Sequence, residues 1–215
     1  MRANHLRTTI AATLVCAAGL TLTHAATNGF RAYTLESARR LSALESPAPV
    51  PDLALELVDA GRARLSEIPG QVLLVDFIYT SCPTYCAALG SVYAQLEQRL
   101  APEIAAGAVR LVSISFDPGR DGPGELRAYR ARYSRDAVGW EIGRPVAPGD
   151  VRSWLDAFGV VVIPDELGGY THNAAVHVVG PARKLVAILD LKDIDGTVAA
   201  TREIIGGTAR HVAAR

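Results

Sequence analysis

An almost unbroken apolar run marks the middle of the chain as a buried strand. Residues 72–79 are strand-forming and apolar except for Asp76. This pattern is typical of a central strand that is covered on both faces of its sheet. A second strand-forming run follows at residues 109–116, where only Arg110 and two serines interrupt the apolar side chains. The two runs predict neighbouring strands in the core.

The hydrophobic period changes between these two strands. Apolar residues recur there at helical intervals of three and four: Leu89, Val92, Tyr93, Leu96 and Leu100. Cys86 extends the same stripe towards the N-terminus. The period predicts a helix over residues 86–100 that begins almost directly after the first strand.

The rest of the pattern completes one α/β domain. Alternation around Asp59 predicts a hairpin over residues 53–68. Helices are predicted at 124–133, at 151–158 with Asp150 as the cap, and at 197–205, and strands at 174–179 and 184–191. This order of elements predicts a thioredoxin-like α/β sandwich, in which helices flank a central mixed sheet and an N-terminal hairpin precedes it.

The first 26 residues have the features of an export signal. Arg2 and Arg7 supply a positive start, residues 8–23 carry no charge, and small residues around Ala25 fit an A-x-A type of cleavage site. The apolar part is about 15 residues, short of the roughly 20 of a membrane span. A signal peptide is therefore favoured and an uncleaved membrane anchor is the alternative, while lipidation of Cys16 is disfavoured by Val15. Either main interpretation predicts a periplasmic protein, soluble or tethered to the inner membrane.

The leader is followed by a tether and then by the folded body. Residues 27–52 end in a proline-rich stretch at 47–51, and we interpret them as the tether. Residues 53–215 form the predicted thioredoxin-like domain. The charge is balanced, with 22 basic and 22 acidic residues, and so lacks the basic excess that is typical of nucleic-acid binding.

Cysteine usage directs attention to one pair. The chain has three cysteines, and because Cys16 lies in the leader, the mature protein keeps only Cys82 and Cys86. An exported protein with one closely spaced pair is not a disulfide-stapled scaffold. The pair lies where a buried strand passes into a helix, and backbone N–H groups at a helix N-terminus lower thiol pKa values. Two soft thiolates on one side of the first turn suit Cu(I), whereas the alternative is two ordinary buried cysteines.

Three segments resemble one known family. The stretch F-I-Y-T-S-C-P-T-Y-C at residues 77–86 resembles the C-P-x-x-C copper motif of the SCO/SenC family. Residues 113–121, with Asp117 and Asp121, resemble its D-P-x-x-D loop, and residues 169–175 resemble the segment that carries its ligand histidine. Here that histidine is His172, which follows Gly168 and Gly169 on a predicted loop that enters the next strand. The resemblance spans roughly residues 47–192. It departs from the family at Ala87, where members often have a second proline.

The resemblance implies a function and a site. It implies a copper metallochaperone that helps to build the dinuclear copper centre of cytochrome c oxidase subunit II, or serves another copper protein. The metal ligands would be Cys82, Cys86 and His172, and the copper would be Cu(I), Cu(II) or both. His177 is expected to be structural because it lies inside a strand, and His211 is expected to be solvated. Asp117 and Asp121 are candidates for shaping the site or docking a partner, although turn chemistry alone explains them as well.

The competing hypothesis is a periplasmic thiol–disulfide oxidoreductase that acts through Cys82 and Cys86. Asp76 lies six residues before Cys82, as the buried aspartate of thioredoxins does, although a position near the surface or a hydrogen bond to the loop would explain it equally. Thioredoxins, however, have two residues between their cysteines and a cis-proline where His172 stands. A peroxidase is less favoured still. The two leading activities can coexist in one protein.

Overall fold

The computed structural model describes residues 2–81, 85–166 and 168–213, with the side chains of residues 5–81, 88–166 and 168–207. The chain divides into two compact units, Met1–Glu45 and Ser46–Arg215. The first unit contains two helices, α1 (Arg2–Ala26) and α2 (Leu35–Glu45). Within α1, His5–Ala26 is long and apolar enough to cross a membrane, a property that a signal sequence shares. Helix α2 occupies part of the segment that we interpret as the tether.

A curled eight-stranded sheet forms the body of the second unit. Its strands are β1 (Ala48–Pro49), β2 (Ala54–Leu57), β3 (Gly61–Arg64), β4 (Val72–Ile78), β5 (Val109–Ser115), β6 (Trp140–Pro145), β9 (Val176–Val179) and β10 (Lys184–Leu189), in the spatial order β1-β10-β9-β4-β5-β6-β2-β3. The central strands β4, β5 and β6 run parallel, and the remaining pairs are antiparallel. All seven residues of β4 are buried, as its apolar run predicted.

Helices cover both faces of this sheet. They are α3 (Tyr85–Arg99), α4 (Ala101–Ala105), α5 (Pro123–Ala131), α6 (Asp150–Phe158) and α7 (Ile194–Ala213). On one face, Tyr93 of α3 packs against Trp140 of β6, with 5.5 Å between ring centroids. On the other, Phe158 of α6 lies 5.1 Å from Phe77 of β4. The thioredoxin-like α/β sandwich, the mixed sheet and the N-terminal hairpin β2–β3 are thus confirmed.

A separate two-stranded hairpin carries the predicted ligand histidine. Strand β7 (Val162–Pro164) pairs antiparallel with β8 (Tyr170–His172), and Val162 lies opposite His172. The sequence pattern predicted a loop here, because the two strands have three residues each and Gly168 and Gly169 separate them. The prediction of a loop was wrong. His172 ends a strand.

Two further local predictions were wrong. Strand β6 was missed because Gly143, Arg144 and Pro145 break its pattern. Gly143 is required there, since a Cβ atom would lie 2.6 Å from the carbonyl oxygen of Glu56 on β2. Asp150 does not cap α6 but is its first residue, and Gly149 occupies the N-cap position.

Candidate metal site

The predicted site lies where the parallel strands β4 and β5 end. Cys82 falls outside the described residues, four positions after the last residue of β4. Cys86 is the second residue of α3, as the predicted helix start requires, and its side chain is outside the description. The described geometry therefore concerns the supports of the cysteine segment and the position of His172.

His172 is a buried imidazole with unused hydrogen-bonding capacity. Only 7% of the residue is exposed, and neither Nδ1 nor Nε2 has a hydrogen-bond partner among the described residues. The ring packs edge-to-face on Phe116, with 5.2 Å between centroids. Burial lowers the pKa of His172 to about 4, because desolvation disfavours the charged ring. At neutral pH the imidazole is uncharged, which is the form that binds metal.

Tyr79 joins the histidine hairpin to the strand that leads to Cys82. Its hydroxyl donates to the carbonyl oxygen of Tyr170 at 3.1 Å and accepts from the Tyr170 N–H at 3.2 Å. Tyr79, Phe116 and Tyr170 also pack ring against ring, with centroids 5.2–5.6 Å apart. The residue two before His172 is thus fixed to the residue three before Cys82.

Asp121, in the loop after β5, supports the end of β4. Its buried carboxylate accepts hydrogen bonds from the Thr80 N–H at 3.0 Å and from the hydroxyls of Thr80 and Ser115, both at 2.6 Å. Two of these three bonds come from Thr80, and they fix it two residues before Cys82. Turn chemistry alone does not account for this contact, because Thr80 and Asp121 are 41 residues apart in the chain.

Asp76 lies on the face of β4 opposite to Phe77. Its side chain is fully buried, and neither carboxylate oxygen has a hydrogen-bond partner in the described part of the chain. Desolvation raises the pKa of Asp76 to about 8, and the neighbouring Ser113 hydroxyl offsets only part of this increase. The alternative of a surface position is therefore wrong, while the alternative of a hydrogen bond to the loop involves residues 82–84, which lie outside the described residues. Asp76 is protonated at neutral pH.

His177 has a different environment from His172. It is buried in β9, its Nδ1 lies 3.1 Å from the carbonyl oxygen of Val75, and its ring packs edge-on against Phe77 and Phe158. These contacts agree with the structural role predicted for it. The side chain of His211 is outside the described residues.

A neutral imidazole such as that of His172 suits a soft or borderline metal. Among the described side chains, no three histidines, cysteines, aspartates or glutamates form a cluster. Asp121 is occupied by three hydrogen bonds, and Asp117 forms an ion pair with Arg120. Near the ends of β4 and β5, the described buried ligand atoms without a hydrogen-bond partner are the two nitrogens of His172, so an imidazole combined with two thiolates is the ligand set to test.

Sequence reasoning missed three residues that support the site. Tyr79 and Phe116 were recognised only as ends of strands, because an aromatic residue at a strand end carries no signal of what it will contact. Arg120 stood at a variable position of the D-P-x-x-D motif. Its contacts reach the hairpin, which the sequence did not predict, so no local pattern could reveal them.

The chain resembles proteins of one family in sequence and in fold. A family model named SCO1/SenC matches residues 56–205. The SCO1 protein homolog of Bacillus subtilis is 29% identical over 140 residues, which are 64% of this chain and 69% of that protein. The structure of BsSco, described as a member of the Sco family of cytochrome c oxidase assembly proteins with a disulfide switch, superimposes with a TM-score of 0.65 at 23% identity, covering 75% of this chain and 95% of the other.

A copper-bound structure has the same fold. Arabidopsis thaliana ScoI with copper bound superimposes with a TM-score of 0.62 at 20% identity, over 73% of this chain and 99% of that one. The family model covers more than half of the present chain and includes the strand ends, the 117–121 loop and the hairpin described above. The protein belongs to the SCO1/SenC family.

Proposed function

We propose that this protein is an exported copper chaperone in which Cys82, Cys86 and His172 bind one copper ion, as Cu(I) or Cu(II). Its acceptor is the dinuclear copper centre of cytochrome c oxidase subunit II. Family membership supports the general role, since the BsSco structure is described as that of an oxidase assembly protein and the Arabidopsis structure was determined with copper. Copper is here the cargo of the protein.

The observation that carries the proposal is the environment of His172. A buried imidazole without hydrogen-bond partners among the described residues is costly to fold, and proteins usually satisfy such groups. A metal ion bound to one ring nitrogen would offset that cost. Tyr79 and Tyr170 hold this imidazole on the side of the sheet where the chain continues to Cys82.

The cysteine segment supplies the soft ligands. Cys86 lies in the first turn of α3, where the helix N-terminus favours the thiolate over the thiol. Thiolates select Cu(I), and an added imidazole also permits Cu(II). The family resemblance and the position of the histidine hairpin support a ligand set of two sulfurs and one nitrogen.

Copper stoichiometry of the reduced mature domain tests the ligand set. Wild type should bind about one Cu(I), and Cys82→Ser or Cys86→Ser should nearly abolish binding because too few soft ligands remain. Ser81→Ala is the matched control, because Ser81 is exposed in the same segment. Unchanged stoichiometry in both cysteine variants would contradict the proposed site.

Delivery is tested in cells. A strain that lacks the protein should lose oxidase activity, recover it with added copper and keep its general disulfide handling. Fractionation should place the chain outside the cytoplasm, with a mature N-terminus near Ala26 if the leader is cut. Full-length protein in the cytoplasm would contradict both the cleaved and the anchored form.

One observation favours thiol–disulfide exchange as a second activity. Asp76 is buried next to the face that α3 covers and its pKa is raised to about 8, so its carboxylate form is a stronger base than an ordinary aspartate and could accept a proton from a reacting cysteine. In such a step the thiols of Cys82 and Cys86 become a disulfide, while an acceptor disulfide takes up two electrons and two protons. Asp76→Asn should slow this exchange and leave copper affinity unchanged. If it abolishes function while copper binding stays normal, the exchange is the main activity.

A further inference from the structure

One short loop contacts both halves of the candidate site. We call residues 117–121 the brace loop; it follows β5 and precedes α5. The loop is itself anchored, because the carbonyl oxygen of Pro118 accepts a hydrogen bond from Arg144 of β6 at 2.7 Å. Its Asp117 N–H donates to the Ser115 hydroxyl at 3.0 Å, and its Asp121 N–H donates to the Asp117 carbonyl oxygen at 2.9 Å. These bonds give the loop a defined conformation.

Two adjacent side chains of the loop point to different elements. Asp121 holds Thr80, two residues before Cys82, through the hydrogen bonds described above. Arg120 reaches the hairpin instead, where its Nη1 donates to the carbonyl oxygen of Gly168 at 2.6 Å. The Arg120 guanidinium also lies over the ring of Tyr170, 5.2 Å from its centroid.

Asp117 fixes the direction of Arg120. Its carboxylate forms an ion pair with Nε of Arg120, which leaves the terminal nitrogens free to face the hairpin. A guanidinium is planar and presents its donors in a fixed fork, so it can satisfy a carboxylate, a carbonyl oxygen and an aromatic face at once. A lysine cannot make all three contacts.

We propose that Arg120 is a positioning residue which, together with Asp121, sets the separation between the cysteine segment and His172. The proposal rests on the copper site proposed above. Ligand positions at a metal site must be held closely, and loss of a supporting contact typically costs 10- to 100-fold in metal affinity. The brace loop provides that support by joining the residue two before Cys82 to residues two and four before His172.

A simple charge effect predicts the opposite result. Removal of the Arg120 cation leaves the Asp117 carboxylate unpaired, and by electrostatics alone a negative charge near the site should strengthen the binding of a copper cation. Loss of positioning should weaken Cu(II) binding instead. The sign of the change in affinity therefore separates the two explanations.

Cu(II) binding by the mature domain is the first measurement. Arg120→Ala should weaken Cu(II) affinity by about 10-fold and shift its thiolate charge-transfer bands, while Cu(I) stoichiometry stays at that of wild type. Arg120→Lys should recover little of the loss. The control is Arg152→Ala, which removes an exposed arginine that pairs with Asp156 within α6. Unchanged or tighter Cu(II) binding with unshifted bands in Arg120→Ala would overturn the proposal.

Amide hydrogen exchange of the metal-free protein is the second measurement. In Arg120→Ala the amides of Gly169 and Tyr170 should exchange about 10-fold faster while that of Thr80 keeps its wild-type rate, because only the hairpin contact is lost. Asp121→Asn should do the reverse. Equal exchange in all variants would contradict the brace. Hydrogen exchange is measured without copper. It therefore tests the role of the brace loop separately from the question whether the wild-type protein binds copper at all.

Discussion

Two buried histidines lie five residues apart in this chain and have opposite environments. His177 is inside the eight-stranded sheet, where a carbonyl oxygen and two aromatic rings surround it. His172 ends a two-stranded hairpin outside that sheet, next to Phe116, and its nitrogens have no hydrogen-bond partner in the described structure. Both are shielded from solvent, so burial does not distinguish them. They differ in whether a ring nitrogen has a hydrogen-bond partner among the described residues.

This difference indicates which imidazole stabilises the fold and which serves a ligand. Nδ1 of His177 contributes a hydrogen bond between β9 and β4, and its ring fills the layer under α6. His172 gives the metal-free protein ring packing, but both of its ring nitrogens lack a hydrogen-bond partner among the described residues. Such a group is retained at a cost to stability, which is typical of a functional site.

Exchanging each histidine for alanine should separate the two roles, and we expect the largest effects here. His172→Ala should reduce Cu(II) affinity by more than the 10- to 100-fold that loss of an outer contact costs, because it removes a direct ligand. His177→Ala should leave copper binding intact and lower the free energy of unfolding by about 2 to 4 kcal/mol, because it opens a cavity and removes the contact of Nδ1 with the Val75 carbonyl oxygen. Titration with Cu(II) and chemical denaturation measure the two effects.

The reverse result would break the comparison. If Cu(II)–thiolate absorption survives in His172→Ala but is lost in well-folded His177→Ala, the roles assigned to the two imidazoles are exchanged. If neither variant affects copper, no histidine of this pair is a ligand.

Asp76 extends the comparison to a second buried group without a described partner. Its pKa is about 8 in the folded protein and near 3.8 when unfolded, so unfolding releases a proton between about pH 4 and 8. The free energy of unfolding should therefore fall as pH rises through this window, by about 1 kcal/mol per pH unit, relative to Asp76→Asn. Denaturation at several pH values checks the slope.

The Asn variant is the necessary reference. Its His172 still has a lowered pKa, which makes stability rise with pH between about 4 and 6.5 in both proteins. Subtraction removes this contribution. A difference that does not change between pH 4 and 8 would mean that the Asp76 carboxyl has an ordinary pKa and finds partners outside the described residues.

The smallest expected effect concerns the link between the two regions. Tyr79→Phe removes the two hydrogen bonds to Tyr170 and keeps the ring packing, so the free energy of unfolding should fall by about 1 kcal/mol. Cu(II) affinity should fall while Cu(I) stoichiometry is kept. Tyr129→Phe, on α5 away from the hairpin, is the control for loss of a tyrosine hydroxyl. Unaltered Cu(II) affinity would show that the hairpin is positioned without Tyr79.

Much of this architecture could be predicted from patterns of hydrophobic residues. Strand β4 has an unbroken apolar run and helix α3 has a strong helical period. These local patterns alone predict that Cys86 lies at the start of a helix. The hairpin β7–β8 could not be predicted, since its strands have three residues each and take their stability from Tyr79 and Arg120. Those contacts span 91 and 48 residues of sequence.

The sequence predicted which residues belong to the site but not how they are arranged in space. Motif resemblance identified Asp121 as a candidate for shaping the site, and its bond to Thr80 agrees with that role. The burial of Asp76 and of His172 depends on how many layers cover them, which single residues in a sequence do not reveal. The structure adds the difference between His177, whose ring is hydrogen-bonded, and His172, whose nitrogens have no partner in the part of the chain that the structure describes.

Copper X-ray absorption of the loaded mature domain tests the central claim most directly. Wild type should show two sulfur scatterers and an imidazole nitrogen bound to copper. The imidazole contribution should disappear in His172→Ala and persist in His177→Ala, with both sulfurs retained in each. A copper environment without sulfur in wild type, or an imidazole signal that is unchanged in His172→Ala, would contradict the ligand set of Cys82, Cys86 and His172.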